Sequence, residues 1–247
     1  MNNPFIPFKK ADTIVVAGNI SSEIYDNLKK NGLEVIKTIA HEKVHTSIKY
    51  HPDIVMHPIR HNLLIVEPSL FQYYKDQFKN THIKIIKGEI ELKAEYPFDI
   101  AYNVGRIGNY VIHNLKYTDE VLKYYLEKED LEFINIKQGY SKCSMAIVGE
   151  KEIITSDKMI DKTLKDLGFN SLLIKPGFID LENQNYGFIG GCTGNISNKE
   201  VLISGTLKNH PDKEIIEKFL KETGKKINYL SKEKITDIGT MISLNCN

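Results

Sequence analysis

The chain has 247 residues, with 33 Lys+Arg against 32 Asp+Glu for a formal charge of +1, and it is 41% hydrophobic and 26% charged. That is the composition of a globular protein, and the balanced charge gives no electrostatic reason to expect nucleic acid or a membrane surface as partner. No run approaches 18 uninterrupted apolar residues, and the N-terminus lacks a signal peptide's charged-then-apolar order. Three widely spaced cysteines, Cys143, Cys192 and Cys246, make no disulfide framework, so the expected location is cytoplasmic.

Five amphipathic helices follow from the 3.6-residue apolar period. The first is expected over about 21–31, with Ile24 and Leu28 on one face and Gly32 as its stop. The second starts at Pro68 and carries Leu70, Phe71, Tyr74 and Phe78. The third follows a cap at Thr118 and carries Val121, Leu122, Tyr125 and Leu126. The fourth, capped by Ser156, carries Met159, Ile160, Leu164 and Leu167 and ends at Gly168. The fifth has Pro211 in its first turn, then Ile215, Ile216, Phe219 and Leu220, and closes at Gly224. First-turn prolines, polar caps and terminal glycines are the ordinary boundaries of short helices.

Each helix is followed by a short β-rich run, at 33–38, 83–87, 131–136, 171–175 and 227–230. Most are also preceded by two more, such as 53–57 with 63–66, or 99–104 with 110–113. The repeating unit is therefore strand, strand, helix, strand, in a single domain over 1–247. Unit one has only residues 13–17 ahead of its helix, and the orphan strand at 237–244 supplies the missing piece if the ring closes on itself. Asp-Ile opens three of the proposed first strands, at Asp53, Asp99 and Asp237.

This pattern resembles the pentein fold, the five-bladed α/β propeller of guanidino-group-modifying enzymes such as the arginine and agmatine deiminases, dimethylargininases and amidinotransferases. His51-Pro52-Asp53 is similar to their His-x-Asp motif, which implies a proton-transfer role for His51 and a guanidinium-binding role for Asp53. Gln138-Gly-Tyr-Ser-Lys-Cys-Ser144, Ile153-Ile-Thr-Ser-Asp157 and Gly187-Phe-Ile-Gly-Gly-Cys-Thr-Gly194 resemble an uncharacterised bacterial family within that superfamily. The sequence departs from the deiminases in two places. Ile242 stands near the position of their C-terminal nucleophilic Cys, and His-x-Asp occurs early, in unit two.

A guanidinium is planar, charged and rich in donors, so carboxylates must clamp it, while its poorly electrophilic carbon needs a thiolate and a proton carrier. Asp53, Asp99 and Asp237, at equivalent points of three blades, would converge on a central channel; the competing role for each is to cap a turn. His51 is either the proton shuttle or a structural residue. Cys143 and Cys192 are the candidate nucleophiles, each with the alternative of a small buried apolar residue, and Cys246 is expected to be frayed. Asn103 and Lys142 join the three aspartates as candidate substrate-binding residues, and the substrate-sized partner to expect is a small cation.

His41-Glu42-Lys43-Val44-His45 formally matches the zinc-hydrolase pattern His-Glu-x-x-His, which needs a helix that stacks both histidines. Three readings follow: a Cys-dependent hydrolase or transferase of a guanidino or amidino compound; a non-catalytic pentein-like module binding a protein, the ribosome or a small cation; and, through His41 and His45, a zinc hydrolase. The first two need neither cofactor nor metal.

Overall fold

The computed structural model describes residues 3–246. Among the described residues the strands form five three-stranded sheets, each built on the same plan. The first has strand order β15-β1-β2, from β1 (Thr13–Val16), β2 (Glu34–Lys37) and β15 (Ile242–Leu244). The second joins β3 (Met56–Arg60), β4 (Leu63–Val66) and β5 (Lys84–Lys87). The third joins β6 (Gly105–Ile107), β7 (Tyr110–His113) and β8 (Glu132–Asn135). The fourth joins β9 (Met145–Ile147), β10 (Glu152–Thr155) and β11 (Asn170–Leu173). The fifth joins β12 (Thr193–Ser197), β13 (Glu200–Ile203) and β14 (Lys226–Tyr229).

In every unit the inner strand pairs antiparallel with the middle one, and the middle one pairs parallel with the outer one after a helix. A parallel neighbour requires such a crossover, which is why each helix sits between its middle and outer strands. In the first unit the inner strand is β15, paired antiparallel with β1 from Thr13 opposite Leu244 to Val15 opposite Ile242.

The crossover helices are α1 (Ser22–Lys30), α3 (Phe71–Gln77), α4 (Glu120–Glu127), α6 (Lys158–Asp166) and α7 (Lys213–Glu222). Their apolar faces are buried: Ile24 and Leu28 on α1, Leu122 and Leu126 on α4, Ile160 and Leu164 on α6, Ile216, Phe219 and Leu220 on α7. Each such side chain contributes roughly 1.5–3 kcal/mol of transfer free energy. Gly32, Gly168 and Gly224 end their helices at φ +81°, +80° and +74°, the left-handed turn that only glycine makes freely.

Three boundaries differ from the sequence expectation. The caps of α4 and α6 are Asp119 and Asp157, whose carboxylates accept from Leu122 N and from Met159 N and Ile160 N; Thr118 and Ser156 stand one residue too early. Pro211 precedes α7 instead of opening it. A fourth difference matters for function. The Asp-Ile segments are not strand residues: residues 52–55 form the short helix α2 (Pro52–Val55), and 99–104 and 237–241 are turns that precede β6 and β15. Residues 141–144 are likewise a helical turn, α5 (Ser141–Ser144), and Gly190–Cys192 a 3-10 turn. Each inner strand is thus entered from a tight turn, and the five turns gather at one end of the inner strands.

At the strand end the N-terminal segment closes the middle of the ring. Phe5 lies edge-on to His57 of β3 with centroids 5.5 Å apart, and its carbonyl accepts Asn195 Nδ2 of β12 at 2.9 Å. Asn3 Nδ2 donates to the Arg106 carbonyl of β6 at 3.3 Å.

Candidate functional site

Counted from the first residue of each inner strand, the turns carry two tiers of side chains. The deep tier lies two or three residues before the strand: Asp53, Asn103, Lys142 with Cys143, Gly190 with Gly191, and Thr240. The rim tier lies five residues before it: His51, Tyr140, Phe188 and Asp237, with Asp99 one residue further back in its own turn. The three aspartates are therefore not at equivalent points, contrary to the expectation from the Asp-Ile echo. Asp53 belongs to the deep tier and Asp99 and Asp237 to the rim.

The deep tier is one hydrogen-bonded network through all five units. Asp53 Oδ2 accepts from Cys143 Sγ at 3.1 Å and from Thr240 Oγ1 at 2.5 Å. Asn103 Nδ2 donates to Cys143 Sγ at 2.9 Å and to the Asp53 carbonyl at 3.2 Å, while Asn103 Oδ1 accepts Lys142 N and Cys143 N. Lys142 Nζ donates to the Met145 carbonyl at 3.2 Å, the Gly190 carbonyl at 3.5 Å and Thr240 Oγ1 at 3.1 Å, and it lies 5.1 Å from the Phe5 ring centroid. The close approach at the centre explains the Gly-Gly pair. A Cβ on Gly190 would stand 2.4–2.5 Å from the carbonyls of Lys142, Met145 and Cys143, and one on Gly191 would stand 1.9 Å from Asp237 Oδ1.

Above this network opens a cavity of about 390 Å³, within the range of small-molecule sites. His51, Asp99, Tyr140, Cys143, Phe188 and Asp237 line its inner part. Tyr96, Gln184, Asn185 and Tyr186 line it further out, the last three from residues 181–188, a segment of the fourth-to-fifth unit connection. Asp237 is fixed by backbone donors, with Phe188 N on Oδ2 at 2.8 Å and Gly239 N on Oδ1 at 2.9 Å. Asp99 Oδ2 accepts Tyr140 Oη at 2.5 Å. Three buried polar atoms here, His51 Nδ1, Asp53 Oδ1 and Asp99 Oδ1, have no hydrogen-bond partner within the chain. Buried polar groups left unsatisfied inside a cleft are what an incoming donor-rich ligand would satisfy.

Burial dominates the protonation states. It pushes Asp237 up to about 6, opposed by its two backbone donors and by Lys142. It also raises Asp53, opposed by His51, and raises Asp99, opposed by the Tyr140 hydroxyl. His51 is driven down to about 4 by burial, with Asp53 acting the other way. His51 is thus neutral near pH 7, and its 3.8 Å approach to Asp237 Oδ1 is not an ion pair. Cys143 is held well above the ordinary thiol range by burial and by the Asp53 and Asp237 carboxylates. Burial lowers Lys142 against the pull of Asp53 and Cys143. Asp53 and Asp237 face one buried ammonium, Lys142, and Asp99 adds a further acidic group on the cavity wall, an arrangement that favours a cation in the cavity.

Of the residues singled out from sequence, the cavity brings together His51, Asp99, Asp237 and Cys143 on its wall, with Asp53 one hydrogen bond beneath Cys143. Asn103 and Lys142 lie under this floor and hold Cys143 and Thr240 in place. Cys192 is fully buried in the core between the fourth and fifth units, with Sγ donating to the Phe188 carbonyl at 3.2 Å. Cys246 is not frayed: it is buried, and its N–H donates to Asp12 Oδ1 at 2.8 Å. Ile242 is a buried core residue of β15.

The His-Glu-x-x-His segment is a run of turns and not a helix. His41 Nε2 is turned to Glu67 and Ser69, each at 3.3 Å, whereas His45 Nδ1 pairs with Ser47 Oγ at 2.7 Å at the surface. The helical stacking that a zinc hydrolase of this pattern needs is missing, and among the described residues no three His, Cys, Asp or Glu side chains are grouped to hold a metal. Sequence reasoning missed Thr240, Tyr140 and Phe188. Aligning the units on the first residue of each inner strand would have placed the first beside Cys143 and the other two beside His51.

Residues 15–242 match a family described as a family of unknown function (DUF6873). The chain belongs to that family. Curated proteins give no significant match. Among solved structures, SxtG, an amidinotransferase of the saxitoxin biosynthetic pathway from Microseira wollei, superposes with a TM-score of 0.56 at 12% identity, covering 99% of this chain and 98% of that one. StrB1, the inosamine-phosphate amidinotransferase of Streptomyces griseus, gives 0.59 at 11% identity over 100% and 96% of the two chains. C. jejuni agmatine deiminase gives 0.53 at 12% identity over 92% and 89%. These likenesses show the fold: the chain has a pentein-like five-bladed α/β propeller architecture.

Proposed function

We propose that the cavity binds a small planar guanidinium or amidinium cation and that Cys143 attacks its central carbon. The observation that carries this reading is the meeting, on one cavity wall, of Cys143, two rim carboxylates (Asp99 and Asp237) and a neutral histidine with a free ring nitrogen (His51). Amidinotransferases and an agmatine deiminase share the fold, which adds weight to guanidine chemistry without supplying a residue.

The chemistry follows from the charges. At rest Cys143 is a thiol donating to Asp53. A cation between Asp99 and Asp237 offsets the negative charge around the sulfur and favours the thiolate. Asp53 receives the thiol proton, and the thiolate forms a C–S bond to the guanidinium carbon. The tetrahedral adduct collapses as the C–N bond to the leaving amine or ammonia breaks. That leaving nitrogen takes up the proton released by the thiol, with His51 as the carrier at the cavity wall. Water then attacks the same carbon, releasing the Cys143 thiol, a urea-type product and a proton. An amine acceptor in place of water would instead leave carrying the amidino group.

A second reading, binding without turnover, is favoured by the same thiol: Cys143 is buried and held protonated by Asp53. A panel of guanidino compounds assayed for ammonia or amine release separates the two. Turnover abolished by Cys143→Ser and by His51→Ala supports the enzyme. Binding without release of either product by the wild-type chain supports the module, and turnover surviving Cys143→Ser overturns the role given to that thiol.

A further inference from the structure

The rim of the cavity is as informative about the far end of the ligand as its floor is about the guanidinium. An α-amino acid or other carboxylate-bearing substrate needs a cationic partner for its carboxylate, most often an arginine fork. The chain contains two arginines, and neither is placed for this. Arg106 is fully buried and donates to the Ile59 carbonyl at 2.6 Å, and Arg60 pairs with Glu129 at 2.7 Å on the surface. No lysine lines the cavity among the described residues. Lys142 lies beneath it with its ammonium on two carbonyls and Thr240. Lys234, on an adjoining cavity of about 230 Å³ that shares His51 and Asp237, is ion-paired with Asp180. His45, at the mouth, has its Nδ1 on Ser47 Oγ at 2.7 Å and lies beside Asp99. The acidic groups that face the cavity, Asp99 and Asp237, repel a ligand's own carboxylate.

In place of a cationic clamp, one wall is a continuous run of rings. Tyr96 and Tyr140 have centroids 5.7 Å apart, Tyr140 and Phe188 6.2 Å, and Tyr186 and Phe188 6.3 Å. Tyr96 and Tyr186, at the outer end, are 51% and 41% exposed, so this wall offers ring surface toward solvent where the body of a ligand would lie. Aromatic faces of this kind take hydrocarbon, aryl groups and cations, and give a carboxylate nothing.

We propose that the substrate is a guanidinium or amidinium cation on an apolar or aromatic body that carries no carboxylate. This rests on reading the inner cavity as a guanidinium site, and it adds a selection at the opposite end: Tyr96, Tyr186 and Phe188 contact the body, and the missing cationic clamp excludes amino-acid substrates.

Titration calorimetry on the full chain with three probes, butylguanidine, benzylguanidine and 4-guanidinobutanoate, tests this. Butylguanidine and 4-guanidinobutanoate differ chiefly in the terminal carboxylate. Butylguanidine and benzylguanidine should bind at least about tenfold more tightly than 4-guanidinobutanoate. Tyr186→Ala should weaken benzylguanidine several-fold and leave guanidinium itself unchanged. Asn185→Arg, at an exposed position of the cavity mouth, should raise affinity for 4-guanidinobutanoate about tenfold or more. Equal or tighter binding of 4-guanidinobutanoate by the wild-type chain overturns the carboxylate-free assignment while leaving the guanidinium site standing. If none of the three binds, or if binding survives Asp237→Asn undiminished, the guanidinium reading itself fails and this inference with it.

Discussion

Cys143 and Asp53 come from different blades, 90 residues apart, yet the thiol of one donates to the carboxylate of the other at 3.1 Å. The pairing makes Cys143 a poor nucleophile at rest and supplies a proton acceptor in contact with it. Both properties come from one contact, so one substitution separates them.

Asp53→Asn removes a negative charge from the sulfur and leaves an acceptor oxygen in its place. The thiol's ionisation then moves back toward its ordinary range, because Asp53 is the largest charged contributor to its elevation after burial itself. The rate of Cys143 alkylation by neutral iodoacetamide at pH 8, followed by peptide mass mapping, should rise several-fold over wild type. A rate that falls or stays fixed would mean that Asp53 does not control the thiol. Turnover should fall in the same variant, because the proton acceptor is lost.

Cation binding should depend on pH through Asp237. Its carboxyl is raised to about 6, so below that pH a bound cation must displace a proton. Affinity for a guanidinium probe should be flat above about pH 7 and should fall by up to about tenfold per unit as pH drops below 6. His51 does not contribute to this limb, because it stays neutral down to about 4. Calorimetry from pH 5 to 8 reads the profile, and affinity that improves on acidification would contradict the role of Asp237.

Taken alone, the ionised Asp237 is a cost to folding. A carboxyl whose pKa is higher in the fold than in the unfolded chain supports the fold at low pH, and that support is lost as pH rises from about 4 through about 6. The ionised form at pH 7 therefore costs the fold on the order of 3 kcal/mol. A guanidinium ligand that neutralises it should raise Tm by more at pH 7.5 than at pH 5. Equal shifts at the two pH values would place the ligand elsewhere.

Gly190 is fixed by packing and not by chemistry. Gly190→Ala puts a methyl group within 2.4–2.5 Å of three backbone carbonyls in one neighbouring segment, those of Lys142, Cys143 and Met145. Overpacking of this kind costs about 1–3 kcal/mol or more, read as a lower urea midpoint. Unchanged stability would show that the turns can move apart, and with them the floor of the site.

The five-unit plan was legible because each crossover helix writes its apolar period locally, three of the five end at a glycine, and each outer strand follows at a short distance. Ile24 with Leu28 and Gly32, or Ile160 with Leu164 and Gly168, suffice to place their helices. The site was legible only in its residue types. His51, Asp53 and Cys143 stood out as chemistry-bearing, but their pairing spans blades, and nothing local in the sequence encodes that Asp53 meets Cys143 or that Thr240 bridges Asp53 and Lys142. The Asp-Ile echo misled for the same reason. Its aspartates stand three, six and five residues before their strands, and a shift of two or three residues within a turn moves a carboxylate from the floor to the rim. Cys192 sits in the glycine-rich setting that suggested a nucleophile, yet those glycines serve close packing, Gly190 against the carbonyls of residues 142–145 and Gly191 against Asp237.

The most direct measurement is site mapping with 2-chloroacetamidine, a cationic alkylating agent shaped like the guanidinium group, against 2-chloroacetamide, its neutral counterpart with the same leaving group. After limited treatment of the native chain at pH 7.5, peptide mass spectrometry should find the amidine on Cys143 and not on Cys192 or Cys246. It should react faster than 2-chloroacetamide, and His51→Ala, Asp237→Asn or an excess of butylguanidine should suppress the adduct. Equal labelling of the three cysteines by both reagents, or amidine labelling of Cys143 no faster than neutral alkylation, would contradict a guanidinium-directed Cys143 site.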